Sequence, residues 1–307
     1  MTLFGRTSPG ADEAERAHRR RWILIPGVVV LLCVVVGLVT ALGPGRTHEA
    51  AVDQYVPAGV TRIEVENPGQ IMVTGTAAGR ARAMWQTHWN YRKPTVRGTR
   101  DGDTMRLRLD CSTSVGVECF GDVRLDVPKG VAVDVASNGG DVMASDLASP
   151  VSVDGKNGDI ELANVSGEVR VDNRSGDVVL HDISGPLSAE TRSGDVRAEG
   201  LTGGTAHLGT LSGDIEAEFG VRPRRVTARS RSGEVTVRVP EGSGPYRVRT
   251  NVKSGDVDSE VASDPSAVSV IDASTLSGDV RVGYSDGEDR HEHRAPPEPP
   301  EPPEPPN

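Results

Sequence analysis

The chain has 307 residues, enough for one or two domains, with 3% aromatics, 36 Gly, 21 Pro and a formal charge of −10. Its 42 valines stand between frequent glycines, a pattern that suits pleated surfaces rather than a helical bundle. The negative charge argues against nucleic acid, whose binding needs a basic patch to displace counterions from phosphates. Three Cys are too few for a disulfide-dense scaffold.

The first predicted element is a transmembrane helix over residues 22–42, which carry no charge; at about 1.5 Å per residue this run matches a hydrocarbon core of roughly 30 Å. Residues 1–21 hold five Arg against three acids, a net +2, which leaves about −12 for the rest. The basic flank predicts a cytoplasmic N-terminus and an acidic domain outside the cell. A cleaved signal peptide ending at Val39-Thr40-Ala41 is the competing reading, but the apolar run exceeds the roughly 7–15 residues usual for one.

Residues 43–56 read as a linker, and 57–130 as an N-terminal β region with strands near 61–66, 70–74, 81–91, 104–110 and 122–127. In the third of these, Trp85, Trp89 and Tyr91 share one face. They suit either a sugar-stacking surface or a layer that closes the end of a repeat array, and the cap is the favoured reading. Cys111 and Cys119, with seven residues between them, are expected to form a disulfide in an oxidising compartment.

Residues 131–284 carry an internal repeat. A [Ser/Asn/Gly]-Gly-[Asp/Glu]-[Val/Ile] pattern places glycines at 140, 158, 176, 194, 213, 233, 255 and 278, in steps of 18 to 23 residues. Weaker glycine echoes at 167, 185 and 203 halve the early units, so each unit is two short strands and two turns. One strand begins at Val142, Ile160, Val178, Val196, Ile215, Val235, Val257 and Val280. The other alternates as Val151/Val153, Val169/Val171, Leu187/Ala189, Ala206/Leu208, Val226/Ala228, Tyr246/Val248 and Val268/Val270. Such a unit cannot bury its inner face alone, but units stacked at about 4.8 Å share one narrow core. The expectation is an all-β, β-solenoid-like ectodomain of about eight two-strand rungs behind one N-terminal transmembrane helix, with an interior too flat for rings. The last unit, near Val280, is expected to be an open end suited to edge-to-edge association.

The turns form charge columns. Asp141, Asp159, Asp177, Asp195, Asp214, Glu234, Asp256 and Asp279 follow the glycines, and Lys156, Arg174, Arg192, Arg231 and Lys253 precede them by two residues, interrupted by Leu211 and Leu276. The acids are read as structural, held by local Asx-type bonds and by the basic column. Calcium is the sharper alternative. It is disfavoured because each half-unit has at most one acid and cations stand where a metal needs oxygen ligands. No metal, cofactor or catalytic residue is assigned. The tail over 285–307 is polar and ends in Pro-Pro-Glu repeats, which cannot build a core.

The iterated S-G-D-V units at 175–178, 193–196, 254–257 and 277–280, together with the VRLDVPKG segment at 123–130 and the anchor, resemble the bacterial "putative adhesin" or DUF4097 family. The resemblance spans roughly residues 55–284. It implies a right-handed β-solenoid-like ectodomain and a surface role, and brings no catalytic residues. The leading expectation is a non-enzymatic, membrane-anchored envelope protein whose partner is a glycan or another envelope protein, of undetermined oligomeric state. The alternatives are an envelope-stress sensor working through a membrane partner and, last, a polysaccharide-active enzyme, whose site would need a local break in the repeat.

Overall fold

Alternation of apolar and polar residues at period two makes strands with one buried face, and the computed structural model shows 23 of them and no helix over the residues it describes, 48–90, 93–111 and 119–285. The N-terminal strands are β1 (His48–Tyr55), β2 (Arg62–Asn67), β3 (Ile71–Thr76), β4 (Arg82–Trp89), β5 (Thr95–Asp101), β6 (Thr104–Asp110) and β7 (Cys119–Pro128). The first repeats supply β8 (Ala132–Ser137), β9 (Val142–Ser145), β10 (Val151–Gly155), β11 (Ile160–Val165), β12 (Val169–Ser175), β13 (Val178–Ile183), β14 (Leu187–Ser193) and β15 (Val196–Leu201). The later ones supply β16 (Thr205–Ser212), β17 (Ile215–Phe219), β18 (Arg225–Ser232), β19 (Val235–Pro240), β20 (Arg247–Ser254), β21 (Val257–Ser259), β22 (Val270–Ser277) and β23 (Val280–Ser285). The predicted transmembrane segment 22–42, Tyr91 and the tail beyond Ser285 lie outside the described residues, among which no helix is long and apolar enough to cross a membrane.

The strands form two walls of a β-solenoid. One sheet has the order β1-β4-β7-β3-β9-β11-β13-β15-β17-β19-β23-β21 and the other β20-β22-β18-β16-β14-β12-β10-β8-β2-β6-β5. Each rung passes from the second sheet to the first, and neighbouring rungs pair in parallel with aligned registers, as in Val151↔Val169, Val169↔Leu187 and Ile160↔Val178. The inner residues of both walls form one continuous buried core. A rung slip would move this core to solvent, which fixes the register.

Three expectations change. The region 57–130 is not a separate cap: β2–β3 and β6–β7 are rungs of the same solenoid, so two rungs join the eight that the repeat over 131–284 supplies, ten among the described residues. Residues 48–55 of the expected linker are strand β1, beside β4, and residues 95–101 form β5, a strand whose residues are almost all exposed and show no alternation. The order of rungs also departs from chain order at both ends. The β2–β3 rung sits between β6–β7 and β8–β9, and the final rung β22–β23 sits between β18–β19 and β20–β21. The rung near Val280 is therefore internal, and the open end belongs to β20 and β21.

The same rearrangement corrects the inner residues of the last units. Val226 and Ala228 stand opposite Ile271 and Ala273, which stand opposite Val248 and Thr250. The expected Val268 is 87% exposed in the connecting loop, and Tyr246 lies outside the β20 register. Each correct residue lies seven before its turn glycine, as in the regular rungs, so the extra residues of the longer units are all accommodated at the other turn. Rings do enter the interior: Phe219 and Tyr246 are fully buried. Phe219 stands opposite Leu201 at the end of its strand, where the chain turns between the two walls.

Candidate functional site

The repeated turn is where the sequence concentrates its unusual residues, and its geometry follows from close stacking. Gly176 has φ of 119°, and a Cβ there would collide with the carbonyl oxygen of Gly158 one rung below. Only glycine meets both demands. With the turns stacked main chain on main chain, the acid that follows each glycine reaches the next rung. Asp141 Oδ1 accepts the N–H of Asp159 at 3.0 Å, Asp159 that of Asp177 at 2.9 Å, and Asp177 that of Asp195 at 2.8 Å. Asp195 accepts from Asp214 at 2.9 Å and Asp214 from Glu234 at 2.7 Å. Asp279 accepts from Asp256 at 2.9 Å, and at the other end Asp122 accepts from Gln70 at 3.0 Å. The bonds run between rungs, not within a turn as an Asx motif would. The longer Glu234 carboxylate turns instead to the Thr236 hydroxyl and to Arg281.

Sequence reasoning missed a second column beside the first. Ser137 Oγ donates to the Gly140 carbonyl at 2.7 Å within its own turn. Three residues before later glycines, Thr210 donates to Gly194 at 3.0 Å, Ser230 to Gly213 at 2.9 Å and Thr275 to Gly233 at 2.9 Å, each reaching the rung below. Asn173 reaches the Gly158 carbonyl in the same way, at 3.1 Å. These side chains are buried and satisfy turn carbonyls that water does not reach. The signal, a Ser, Thr or Asn three residues before the turn glycine, was present in the sequence: each continues the inward-facing set of its strand, as Asn173 follows Val169 and Val171.

The basic column does not neutralise the acids. Among the described residues Lys156, Arg174, Arg192, Arg231 and Lys253 are exposed and form no ion pair with them; Lys156 donates instead to the Asn138 side chain at 2.6 Å. Leu211 and Leu276, the interruptions in that column, are 50% and 49% exposed. The turn acids that are ion-paired take other arginines, Asp195 pairing with Arg197 and both Glu234 and Asp279 with Arg281, and further pairs lie on the outer face of the N-terminal rungs: Arg62–Asp134 at 2.5 Å, Arg106–Glu64 at 2.6 Å and Arg97–Asp110 at 2.7 Å. The hydrogen bonds that Arg62 and Arg106 donate to Asp134 and Glu64, respectively, raise the pKa of the two arginines. Asp103 is held below the ordinary carboxylate range, chiefly by the Thr61 hydroxyl at 2.6 Å.

The aromatic face divides. Trp85 is 1% exposed within the core and Trp89 is half-buried, with Lys93 Nζ 5.8 Å from its ring centroid. Trp85 therefore fills the end of the solenoid and offers no ring face to a sugar. Cys111 and Cys119 form the disulfide, with Cα atoms 5.8 Å apart, linking the end of β6 to the start of β7. Among the described residues no three His, Cys, Asp or Glu side chains gather where they could hold a metal ion.

Solved structures with a comparable course of chain include a "putative adhesin" from Bacteroides fragilis, at 14% identity and a TM-score of 0.48, covering 79% of this chain and 99% of that one. A "putative lipid binding protein" from Parabacteroides distasonis follows at 12% identity and a TM-score of 0.40, covering 80% and 98%. A "putative cell adhesion protein" from Clostridium sporogenes shares 10% identity with a TM-score of 0.29, covering 78% and 100%. At these scores the likenesses carry no functional argument. No curated protein matches the sequence. The family model described as Toastrack DUF4097 matches residues 60–283, which hold all ten rungs, the stacked glycines and the aspartate ladder: the chain belongs to the Toastrack DUF4097 family.

Proposed function

We propose that the chain is a non-enzymatic envelope protein, anchored by residues 22–42 with its N-terminus in the cytoplasm, that presents the solenoid outside the cell as an adhesion or interaction scaffold. The observation that carries this reading is the aspartate ladder. Six of the eight turn acids, Asp141, Asp159, Asp177, Asp195, Asp214 and Asp279, are occupied by main-chain N–H groups of the neighbouring rung, so their recurrence is accounted for by stacking. What the repeat then displays is two long walls of outward side chains at a pitch of about 4.8 Å, a surface suited to extended contact rather than to a reaction centre.

The test uses the full chain in intact cells. An Arg170→Cys variant, altered on the outer wall, is expected to react with a membrane-impermeant thiol reagent before lysis, and protection until lysis would place the solenoid inside and end the reading. Photo-crosslinking from the same position then identifies the partner. Cell-wall glycan or a surface protein supports a scaffold, whereas capture of one integral membrane protein alone favours the sensor alternative. Trp89→Ala tests the remaining aromatic contact; Trp85 is unsuitable because its loss would disturb the core.

A further inference from the structure

The spatially last rung has no strand beyond it in either sheet. Its inward residues are the counterparts of fully covered ones. Val248 stands opposite Ile271, Val252 opposite Thr275 and Val257 opposite Val280. The inner three are buried, whereas Val248 and Val252 are half-buried and Val257 is 48% exposed. Main-chain groups are open as well. In parallel pairing, alternate residues direct both N–H and C=O to the same side. The Arg247 N–H donates to Ser269 on the inner side, while Tyr246 bonds outward, to Ala262 and Asp264 of the connecting loop. That loop covers the edge at Tyr246 alone, and Val248, Thr250 and Val252 present their N–H and C=O groups to the outside. An edge of this kind is a template for a further strand.

The two edges carry opposite charges. Outward-facing Arg249 and Lys253 lie on β20, and Asp258 and Glu260 lie on or just past β21. Among the described residues none of these four forms an ion pair, although Arg281 and Asp272 one rung inward do. A basic edge and an acidic edge on one face form a self-complementary set, which a two-fold interface requires.

We infer that this end face pairs with the same face of a second copy of the chain. The chain reverses at Gly255, so β20 and β21 run in opposite directions. A two-fold axis parallel to the strands sets β20 of one copy antiparallel to β21 of the other, twice. Arg249 and Lys253 then face Asp258 and Glu260 across each junction, the outward N–H and C=O groups gain partners, and the exposed valines continue the core across the interface. The alternative axis, which sets β20 on β20, opposes cation to cation and is disfavoured.

Sedimentation equilibrium of the full chain in detergent tests this. Wild type is expected to dimerise. Arg249→Glu with Lys253→Glu should weaken the dimer by about tenfold or more, and adding Asp258→Arg with Glu260→Arg should bring it back to within about threefold, because the paired charges are exchanged rather than removed. Removal of residues 286–307 should leave the dimer unchanged. A monomeric wild type, a dimer indifferent to the first pair of reversals, or one not rescued by the second overturns the inference. So does a dimer that forms only once the tail is removed, since the tail would then be the occupant of this edge. None of these outcomes depends on which glycan or protein the outer walls contact.

Discussion

The two ends of the solenoid solve the same problem differently. Every stacked array leaves an unpaired edge and an uncovered core at each end. At the N-terminal end β4 and β5 join antiparallel to β7 and β6, β1 adds beyond β4, and Trp85 fills the space under them. The disulfide and a set of Arg–carboxylate pairs tie the same rungs together. At the other end nothing antiparallel is added, the inward valines stay partly in solvent, and the charges stand unpaired. The buried hydroxyl column also stops: Thr275 donates to Gly233, but its counterpart on the terminal rung is Val252, which has nothing to donate. One end is closed within the chain, and the other has the chemistry of an interface.

The largest expected effect breaks the closed end. Trp85→Ala removes a fully buried side chain and should cost about 3–5 kcal/mol, whereas Val257→Ala in the isolated monomer should cost well under about 1 kcal/mol, because little apolar surface is uncovered. Urea denaturation compares them, and equal losses would mean that Val257 is covered in solution. The next effect sharpens where the hydroxyl column ends. Thr275→Val should cost about 1–2 kcal/mol by leaving the Gly233 carbonyl unsatisfied, and Val252→Thr should give back a fraction of that by extending the column one rung. Thermal unfolding of the two variants reads this directly, and identical shifts would show the column to be irrelevant to the end.

The smallest effect is the pH dependence that Asp103 brings to the closed end. Asp103 has a folded pKa below its ordinary 3.8, owing first to the Thr61 hydroxyl. The stabilisation is therefore complete above the unfolded value and is lost as pH falls through the lower folded value. Hydrogen exchange of β2 and β6 should quicken below about pH 4, and Thr61→Val should flatten that dependence while leaving β20 and β22 unaffected.

Much of this molecule was legible in its residues because the constraint repeats. Valine and isoleucine after the turn acid fell in register from Val142 through Val280, and the half-period glycines marked the second corner, where Gly185 stacks on Gly167 too closely for any Cβ. The turn acids were recognisable as structural. Their partners were not, since an Asp side chain reads the same whether it bonds its own turn or the next rung.

What the sequence determined by itself is local and periodic: strand, turn, inward residue and the need for glycine, each set by backbone sterics and by burial that recurs once per rung. What only the tertiary structure decided is the order of rungs. Every rung offers its neighbours nearly the same parallel edge, so periodicity cannot say that β22–β23 inserts beneath β20–β21 or that β2–β3 lies within β6–β7. That order also decides which edge of the molecule is left open, the one of β20 and β21.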